Sequence, residues 1–152
     1  MGLIVGLDIA TSTGVAVLDS NRELVSYTII KLNSKEEYRL RFRYFRQELL
    51  KLFDEFKPEK VILEGVYSGP NVVTTAYLNN LRGIAIESVP CYSEFISVYP
   101  SSARKIVLGK GRVSKQEVFK YIKTLYKLSD FKYTKHNDIT DAIVLVLSKI
   151  VD

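Results

Sequence analysis

Three short, β-prone segments stand at the start of this chain, and only two short turns join them. Residues 3–9, 15–18 and 23–30 are rich in the branched and aromatic side chains of strands, whereas the turns at 10–14 and 19–21 contain Ser, Thr, Asn and Gly. Parallel strands need a much longer connection, so segments joined this closely pair in opposite directions. The sequence therefore predicts an antiparallel meander of three strands.

Helical and β-prone segments alternate after the meander. Apolar side chains recur at spacings of four and three over residues 38–56, which predicts an amphipathic helix, and Ser34 with Glu37 is expected to cap it. Residues 61–64 and 95–98 are the fourth and fifth predicted strands. Strands that are separated by helices usually lie parallel in one sheet, so we expect the second half of the sheet to be parallel.

Four more helices complete the prediction. They cover residues 72–87, a short stretch that Ser101 or Ser102 caps and Gly109 ends, a stretch from Ser114, with Glu117 as its capping partner, to about residue 128, and a last helix that Asn137 caps. Along one side of the first of them stand Val73, Ala76, Tyr77, Asn80, Leu81, Ile84 and Ala85. We therefore predict one α/β domain over residues 1–152, with a five-stranded mixed sheet and helices on both faces.

Four carboxylates stand on apolar segments, where an ordinary core would exclude them. Asp8 ends the first predicted strand, Glu64 ends the fourth, and Asp138 and Asp141 share one face of the last helix. Each has a simple alternative: Asp8 could bond the amides of the following turn, Glu64 could face solvent, and the helical acids could complement the helix dipole. Buried acids are costly unless they are paired or bind a metal, so we expect the four to converge.

The residue types in this set favour hard divalent cations. The chain has one cysteine, Cys91, and one histidine, His136, which excludes a disulfide framework and a multi-cysteine zinc site. Carboxylate oxygens suit Mg²⁺ or Mn²⁺. Two such ions about 4 Å apart can activate a water and stabilise the leaving oxygen of a phosphodiester. The four acids are therefore a candidate nuclease centre.

Positive charge is concentrated in one part of the chain. Residues 101–135 hold ten basic and two acidic side chains, a local charge of +8 in a chain whose net charge is +5. A basic run is often no more than a solvated helix face. Beside an acid cluster it also meets a requirement of nucleic-acid binding, because carboxylates alone would repel phosphates.

Three blocks of the sequence resemble the signature blocks of the RuvC-type Holliday junction resolvases, which have an RNase H-like fold. The blocks are GLDIATSTGVAVLD, VILEGVYSGPNVVTTAYLNNLRGIAIE and HNDITDAIVLVL. Their order and spacing also fit, so the resemblance covers nearly the whole chain. One departure is the first block, which reads Asp8-Ile9-Ala10 where the family often has Asp-Pro-Gly.

The resemblance implies a catalytic centre in which Asp8, Glu64, Asp138 and Asp141 are the ligands of two Mg²⁺ or Mn²⁺ ions. It implies hydrolysis of DNA that leaves 5′-phosphate and 3′-hydroxyl ends. It further implies a homodimer that makes paired symmetric nicks in four-way junctions during DNA recombination and repair. The helix that begins near Val72 would supply the dimer interface, and no small-molecule cofactor is expected.

The resemblance also implies contacts with DNA outside the acids. Tyr67 stands where the family has an aromatic side chain that helps to open base pairs at the junction centre, and its alternative is an ordinary core or surface aromatic. His136 is assigned an accessory place beside the scissile phosphate, or else a partly exposed position in a loop. Lys115 has the alternative of a solvated lysine at a helix start. The residues that match the family's basic segment are Arg104, Lys105, Lys110, Arg112 and Lys115.

Other functions stay open at the level of sequence. A related RNase H-like nuclease could act on another nucleic acid, such as structured RNA, and a scaffold could bind nucleic acid without cleaving it. Nucleotide-binding domains of the actin and sugar-kinase type start with a similar segment, but that class needs two such domains around a cleft. The chain shows no signal-peptide pattern and no apolar run long enough for a membrane, so we expect a cytoplasmic protein with no membrane partner.

Overall fold

The computed structural model describes residues 2–150, which form one mixed sheet with helices on both faces. The strands lie in the order β3-β2-β1-β4-β5; β1, β2 and β3 are antiparallel neighbours, whereas β1, β4 and β5 are parallel. The predicted meander and the parallel half of the sheet are both confirmed. In chain order the elements are β1 (Leu3–Asp8), β2 (Ser12–Asp19), β3 (Leu24–Lys31), α1 (Tyr38–Phe56), β4 (Lys60–Glu64), α2 (Val72–Ser88), β5 (Glu94–Val98), α3 (Pro100–Leu108), α4 (Lys115–Leu125) and α5 (Tyr133–Leu147).

Each face of the sheet has its own hydrophobic core. Side chains of a strand point alternately to the two faces, so Val5 and Leu7 of β1 pack with α1 and α2, whereas Ile4 packs with α5. Asp8 follows the same alternation as Ile4 and belongs to the α5 face. The strand β4 alternates in the same way, which places Glu64 on the α5 face too.

Helix α5 lies between the sheet and the helices α3 and α4, and this position explains its composition. Its residues from Ile139 to Leu147 are all buried. Two glycines allow the helix to approach the sheet closely: a Cβ on Gly6 would collide with the carbonyl oxygen of Ala142, and a Cβ on Gly14 with that of Asp138. The prediction that Gly14 belongs to the turn at 10–14 is wrong. The residue lies within β2, because this strand begins at Ser12.

Three of the predicted helix caps are wrong. Asn33 organises the turn before α1, where its Oδ1 accepts the N–H of Lys35; Ser34 lies inside that turn, and Glu37 precedes the helix without a side-chain cap. Pro100 begins α3, a position that suits its fixed φ angle, so neither Ser101 nor Ser102 is the cap.

The third wrong cap is Asn137, because α5 begins five residues earlier than expected, at Tyr133 after the cap position Lys132. Asn137 lies inside the helix and donates through Nδ2 to the carbonyl oxygen of Tyr133, 2.8 Å away. The N–H of the residue that does precede the helix, Lys132, donates to Nδ1 of His136 at 2.8 Å. By contrast, the predicted cap at Ser114 is confirmed: its side chain accepts the N–H of Glu117.

Helices α2 and α4 also differ in detail from the prediction. The buried residues of α2 are Tyr77, Leu78, Leu81, Ala85 and Ser88, whereas Val73, Ala76 and Asn80 of the side named above are exposed. The helix α4 ends at Leu125, before residue 128. None of the helices in residues 2–150 is long and apolar enough to cross a membrane.

Candidate active site

Three carboxylates meet at the end of the sheet where β1 terminates. Side-chain oxygens of Asp8, Asp138 and Asp141 all lie within 4.8 Å of one another. Asp8 is paired with Gly14 of β2, and the α5 backbone at Asp138 rests directly on that glycine. Asp141 follows about one helical turn later. The close packing of α5 on the sheet therefore brings acids from opposite ends of the chain into one cluster.

Glu64 reaches this cluster from the end of β4. It stands beside Asp8, because the parallel ladder pairs the residues that precede the two acids. It lies outside the group of three whose oxygens are all within 4.8 Å of one another, yet it is close enough to affect the pKa of Asp8. On its other side it shares a narrow cleft with Arg104 and Asp141. All four predicted acids are thus brought together.

Asp8 is the most enclosed of the four, with 4% of its surface exposed. Burial raises the pKa of Asp8 well above its ordinary value, and the negative charge of the other acids, Glu64 first, raises it further. Its buried Oδ2 has no hydrogen-bond partner among the residues that the structure describes. The following turn is held by Thr13, whose hydroxyl donates to the carbonyl oxygen of Ala10. The side-chain hydrogen bonds that the structure shows in this turn join Ala10 and Thr13, and none joins a turn amide to Asp8, so the alternative account of Asp8 is wrong.

The two helical acids do not complement the start of their helix. Asp138 and Asp141 are the sixth and ninth residues of α5, whereas the helix dipole acts within about the first turn. Asp141 is held instead by Lys115, whose Nζ lies 3.0 Å from its Oδ2 and 3.7 Å from Oδ1 of Asp138. Burial nevertheless raises the pKa of Asp141; the positive charges of Lys115 and Arg104 counteract this only in part.

Lys115 is the cation nearest to these acids, and it stands at the first position of α4. Besides its two ion pairs it contacts Oδ1 of Asn137 at 3.3 Å. Burial disfavours the ammonium, but the carboxylates of Asp141, Asp8 and Asp138 outweigh this effect and raise the pKa of Lys115 above its ordinary value. The group therefore remains charged at neutral pH and neutralises part of the cluster.

The donor set fits a hard divalent cation. All four side chains are carboxylates, the ligands that Mg²⁺ and Mn²⁺ prefer. The single ammonium of Lys115 faces several carboxylates and leaves negative charge in excess, and no described residue donates to the buried Oδ2 of Asp8. A buried oxygen with no partner carries a cost that a bound cation would remove.

The family model of the crossover junction endodeoxyribonuclease RuvC matches residues 4–149 of this chain. The chain belongs to the RuvC family. Among its curated relatives, the crossover junction endodeoxyribonuclease RuvC of Chlamydia caviae is 30% identical, with alignment over 95% of this chain and 90% of the relative. The RuvC of Finegoldia magna is 28% identical over 97% of this chain and 92% of the relative.

Solved structures of the RuvC family share the fold. The structure of Thermus thermophilus RuvC matches with a TM-score of 0.73 at 18% identity, over 96% of this chain and 92% of that one. The same protein in complex with a Holliday junction substrate matches with a TM-score of 0.78 at 15% identity, over 97% and 92%. The predicted RNase H-like fold is thereby confirmed.

Of the six residues that the RuvC resemblance assigns to DNA, three lie near the acids and three lie on the surface of the basic segment. Arg104 and Lys115 border the acids, and Tyr67 stands in the loop after β4 with 38% of its surface exposed. The remaining three are exposed on the segment from α3 to the start of α4: Lys105, Lys110 and Arg112. The structure brings Arg104, Lys115 and Tyr67 to the acids, and it leaves the other three at the surface of the basic segment.

His136 lies in the first turn of α5, so the alternative of a loop histidine is wrong. Its ring stacks on Phe131 with the ring centroids 4.4 Å apart, and Nδ1 accepts the N–H of Lys132. These contacts give it a place at the helix start. Its accessory part in catalysis stays a prediction.

Three further residues near the acids are not among those predicted from the sequence. Tyr99 packs its ring against Gly65, directly after Glu64, and is 61% exposed. Asn79 and Arg82 of α2 bond the backbone of the loop after β4. One signal for the last two was present: polar residues spaced by three stand on a largely apolar helix. No pattern in the sequence marks Tyr99.

Proposed function

We propose that this chain is a metal-dependent, structure-selective endodeoxyribonuclease that resolves four-way DNA junctions in recombination and repair. The observation that carries the proposal is the convergence of four acids around the buried Oδ2 of Asp8, which has no hydrogen-bond partner within residues 2–150. Membership of the RuvC family supports it, since the curated relatives are named crossover junction endodeoxyribonucleases and one family structure is described as a complex with a Holliday junction substrate.

The acids Asp8, Glu64, Asp138 and Asp141 would hold two Mg²⁺ or Mn²⁺ ions. Such ions supply Lewis-acid chemistry, by which water becomes a nucleophile near neutral pH and charge on phosphodiester oxygens is stabilised. The chain's own part is to hold these carboxylates together, with Lys115 neutralising part of their negative charge. The expected products are 5′-phosphate and 3′-hydroxyl ends.

Basic residues next to the acids would bind the phosphates of the substrate. Arg104 and Lys115 border the cluster, and Lys105, Lys110 and Arg112 extend the positive surface from α3 to α4. Contacts of this kind hold the DNA backbone without reading its sequence.

Paired nicks require two centres, and each chain has one. We propose a homodimer that uses α2, where Val72 and Val73 are 81% and 65% exposed beside the loop of Tyr67. Residues 1–152 would then act as one nuclease domain per subunit, and the exposed Tyr67 of each would stack on bases near the junction centre.

A cleavage assay on a synthetic four-way junction, with each strand labelled in turn, tests the proposal. Mg²⁺-dependent nicks at symmetrically related positions are expected, and Asp8→Asn should abolish them while junction binding persists. Parallel incubations with an RNA–DNA hybrid and a structured RNA test the other nuclease functions. Cleavage of RNA in place of the junction would favour the related nuclease, and junction binding without any cleavage would favour the scaffold.

A further inference from the structure

One side of α2 faces the loop that runs from Glu64 to Asn71. Thr75, Asn79 and Arg82 follow each other at spacings of four and three, which places them on the same side of a helix. All three are partly buried. The side of α2 that bears these residues is distinct from the side that carries its buried apolar residues.

Arg82 binds the first residue of the loop. Its Nε–H donates to the carbonyl oxygen of Glu64 at 3.0 Å, and Nη2 donates to Oγ of Ser97 in β5 at 3.0 Å. The guanidinium therefore connects the end of β4 to β5 immediately behind the carboxylate of Glu64. A charged donor makes these stronger than ordinary hydrogen bonds.

Asn79 and Thr75 bind the middle of the loop, and each of them both accepts a hydrogen bond from one loop residue and donates one back to it. Oδ1 of Asn79 accepts the N–H of Tyr67 at 3.1 Å, and Nδ2 donates to the carbonyl oxygen of Tyr67 at 2.9 Å. Oγ1 of Thr75 accepts the N–H of Gly69 at 3.3 Å and donates to its carbonyl oxygen at 3.2 Å. Residues 65–71 belong to no strand or helix, so these side chains supply partners that secondary structure does not.

The start of the loop is also held by the N–H of Gly65, which donates to the carbonyl oxygen of Val98 at 2.9 Å. The loop contains Gly65 and Gly69, residues with wide conformational freedom, and the exposed ring of Tyr67 has its hydroxyl over Gly69. The orientation of the ring, and of the Glu64 carboxylate at the start of the loop, therefore depends on how the backbone is held.

We propose that Thr75, Asn79 and Arg82 are positioning residues, which fix Glu64 against the other acids and Tyr67 against the DNA. The inference rests on the proposed junction-resolving function for its meaning in catalysis. It is independent of that function as a statement about the loop. A displacement of about 1 Å at a reacting group can cost up to two orders of magnitude in rate, so such positioning matters for cleavage.

The first test uses Asn79→Ala. Hydrogen exchange of residues 65–70 in the free protein should become faster. When the variant binds a junction with a 2-aminopurine base at its centre, the fluorescence of that base should increase less than it does with the wild type. Single-turnover cleavage should slow by about tenfold or more, while junction affinity changes by less than about threefold, because phosphate contacts are retained. The matched control is Asn33→Ala. It also removes an asparagine Oδ1 that accepts a backbone N–H, in this case that of Lys35 in the turn before α1.

A double-mutant comparison separates positioning from general stability. If Asn79 acts through Tyr67, the change Tyr67→Ala should reduce the single-turnover cleavage rate much less in the Asn79→Ala background than in the wild type. Asn79→Asp keeps the acceptor for the Tyr67 N–H and loses the donor, so intermediate exchange is expected. This variant keeps the test valid if Asn79→Ala does not fold.

The second test uses Arg82→Gln and reads out Mn²⁺ binding to the free protein by calorimetry. Loss of the bond behind Glu64 should weaken Mn²⁺ binding by about tenfold, the usual scale for groups that orient a metal ligand. The control is Arg41→Gln, since the guanidinium of Arg41 likewise donates two hydrogen bonds, to the backbone carbonyl oxygens of Ser34 and Glu36, but outside the loop. It should leave Mn²⁺ affinity unchanged.

The two proposals fail in different ways. Unchanged exchange of residues 65–70 in Asn79→Ala, or unchanged Mn²⁺ affinity in Arg82→Gln, would overturn the positioning proposal whether or not the wild type cleaves junctions. A wild type that cleaves no four-way junction would overturn the proposed function, while faster exchange and weaker Mn²⁺ binding in the variants would still support the positioning of the loop.

Discussion

Asp8 holds a carboxylate at a place where ionisation opposes folding. It is buried, it faces three other acids, and one of its oxygens has no partner among residues 2–150. The protein tolerates this cost because the rest of the fold stabilises it. Residues with such a cost concentrate at functional sites, where stability and activity compete.

We expect Asp8→Asn to stabilise the protein when divalent cations are removed with a chelator. The amide has nearly the same shape and removes the buried charge, so the gain should be on the order of 1 kcal/mol. The melting temperature should rise by roughly 2–4 °C in a domain of this size. Thermal unfolding followed by circular dichroism measures it, with the exposed Asp54→Asn as a control that changes little.

The pH dependence of this difference has a definite sign. Because the pKa of Asp8 is raised in the folded state, the folded protein binds the proton more tightly than the unfolded chain. Ionisation therefore lowers stability as the pH rises above the ordinary carboxyl value of 3.8. The advantage of Asp8→Asn should grow over that range, and a variant that is less stable than wild type at neutral pH would contradict the electrostatic account.

Lys115 has the opposite effect on stability. Its pKa is raised in the folded state, so its contribution is present below its ordinary value of 10.5 and is lost as the pH rises towards the folded value. At neutral pH and without cations, Lys115→Gln should lower the free energy of unfolding by about 1 kcal/mol, a modest figure because the side chain is 44% exposed.

Urea unfolding in chelator measures the effect of Lys115→Gln, and Lys110→Gln is its control, since that lysine is paired with Glu117 at the surface. Saturating Mn²⁺ should narrow the difference from wild type, because added positive charge replaces that of the ammonium. Equal destabilisation by the two substitutions would show that the acids do not depend on Lys115.

At the scale of elements, the position of α5 on the sheet decides whether the acids meet. The helix rests on Gly6 and Gly14, where no side chain intervenes, and this contact sets the height of Asp138 above Asp8. Interiors are tightly packed, so even one added methyl group must displace something.

We expect Gly14→Ala to push α5 away from β2. The added Cβ would meet the backbone of Asp138, which cannot rotate aside, so stability should fall by about 1–3 kcal/mol. Mn²⁺ affinity should fall as well. Gly83→Ala is the matched control: a Cβ there meets nothing within 4 Å, and alanine in a helix should stabilise the protein by about 0.5–1 kcal/mol. Calorimetric unfolding and Mn²⁺ titration of both variants check this.

The element order could be predicted from the sequence, because alternation and helical periodicity report burial directly. The four acids could be found because ionisable groups are conspicuous at the ends of apolar segments. Helix caps could be predicted only in part: Ser114 caps α4 as expected, whereas Ser34 and Asn137 have the right chemistry for caps and are not caps. Asn33 and Pro100 show that neighbouring residues compete for the same turns. Arg82 bonds a carbonyl oxygen 18 positions away, and only the folded chain defines such a partner.

At the scale of the whole molecule, the basic segment and the acids lie on the same face of the sheet. Helices α3 and α4 of the basic segment pack on α5 at that face, while α1 and α2 cover the other face. DNA bound at the acids would therefore lie along α3 and α4, and its affinity should depend steeply on salt.

Arg112→Gln should reduce the slope of log affinity against log salt concentration by about one, the value for one lost phosphate contact. Junction binding over a series of salt concentrations, followed by fluorescence anisotropy in chelator, measures the slope. Arg43→Gln, an exposed arginine of α1 on the other face, should leave the slope as in the wild type. Equal slopes in all three proteins would mean that the junction does not contact Arg112.

The distance in sequence between Asp8 and α5 bears on how the protein is made. During synthesis β1 emerges long before the helix that carries Asp138 and Asp141. A nascent chain that has not yet reached α5 lacks half of the acids and the helix that covers them. Under the proposed function, fragments that end before residue 138 would therefore be unable to cut DNA, and nuclease activity would arise only after α5 has been made.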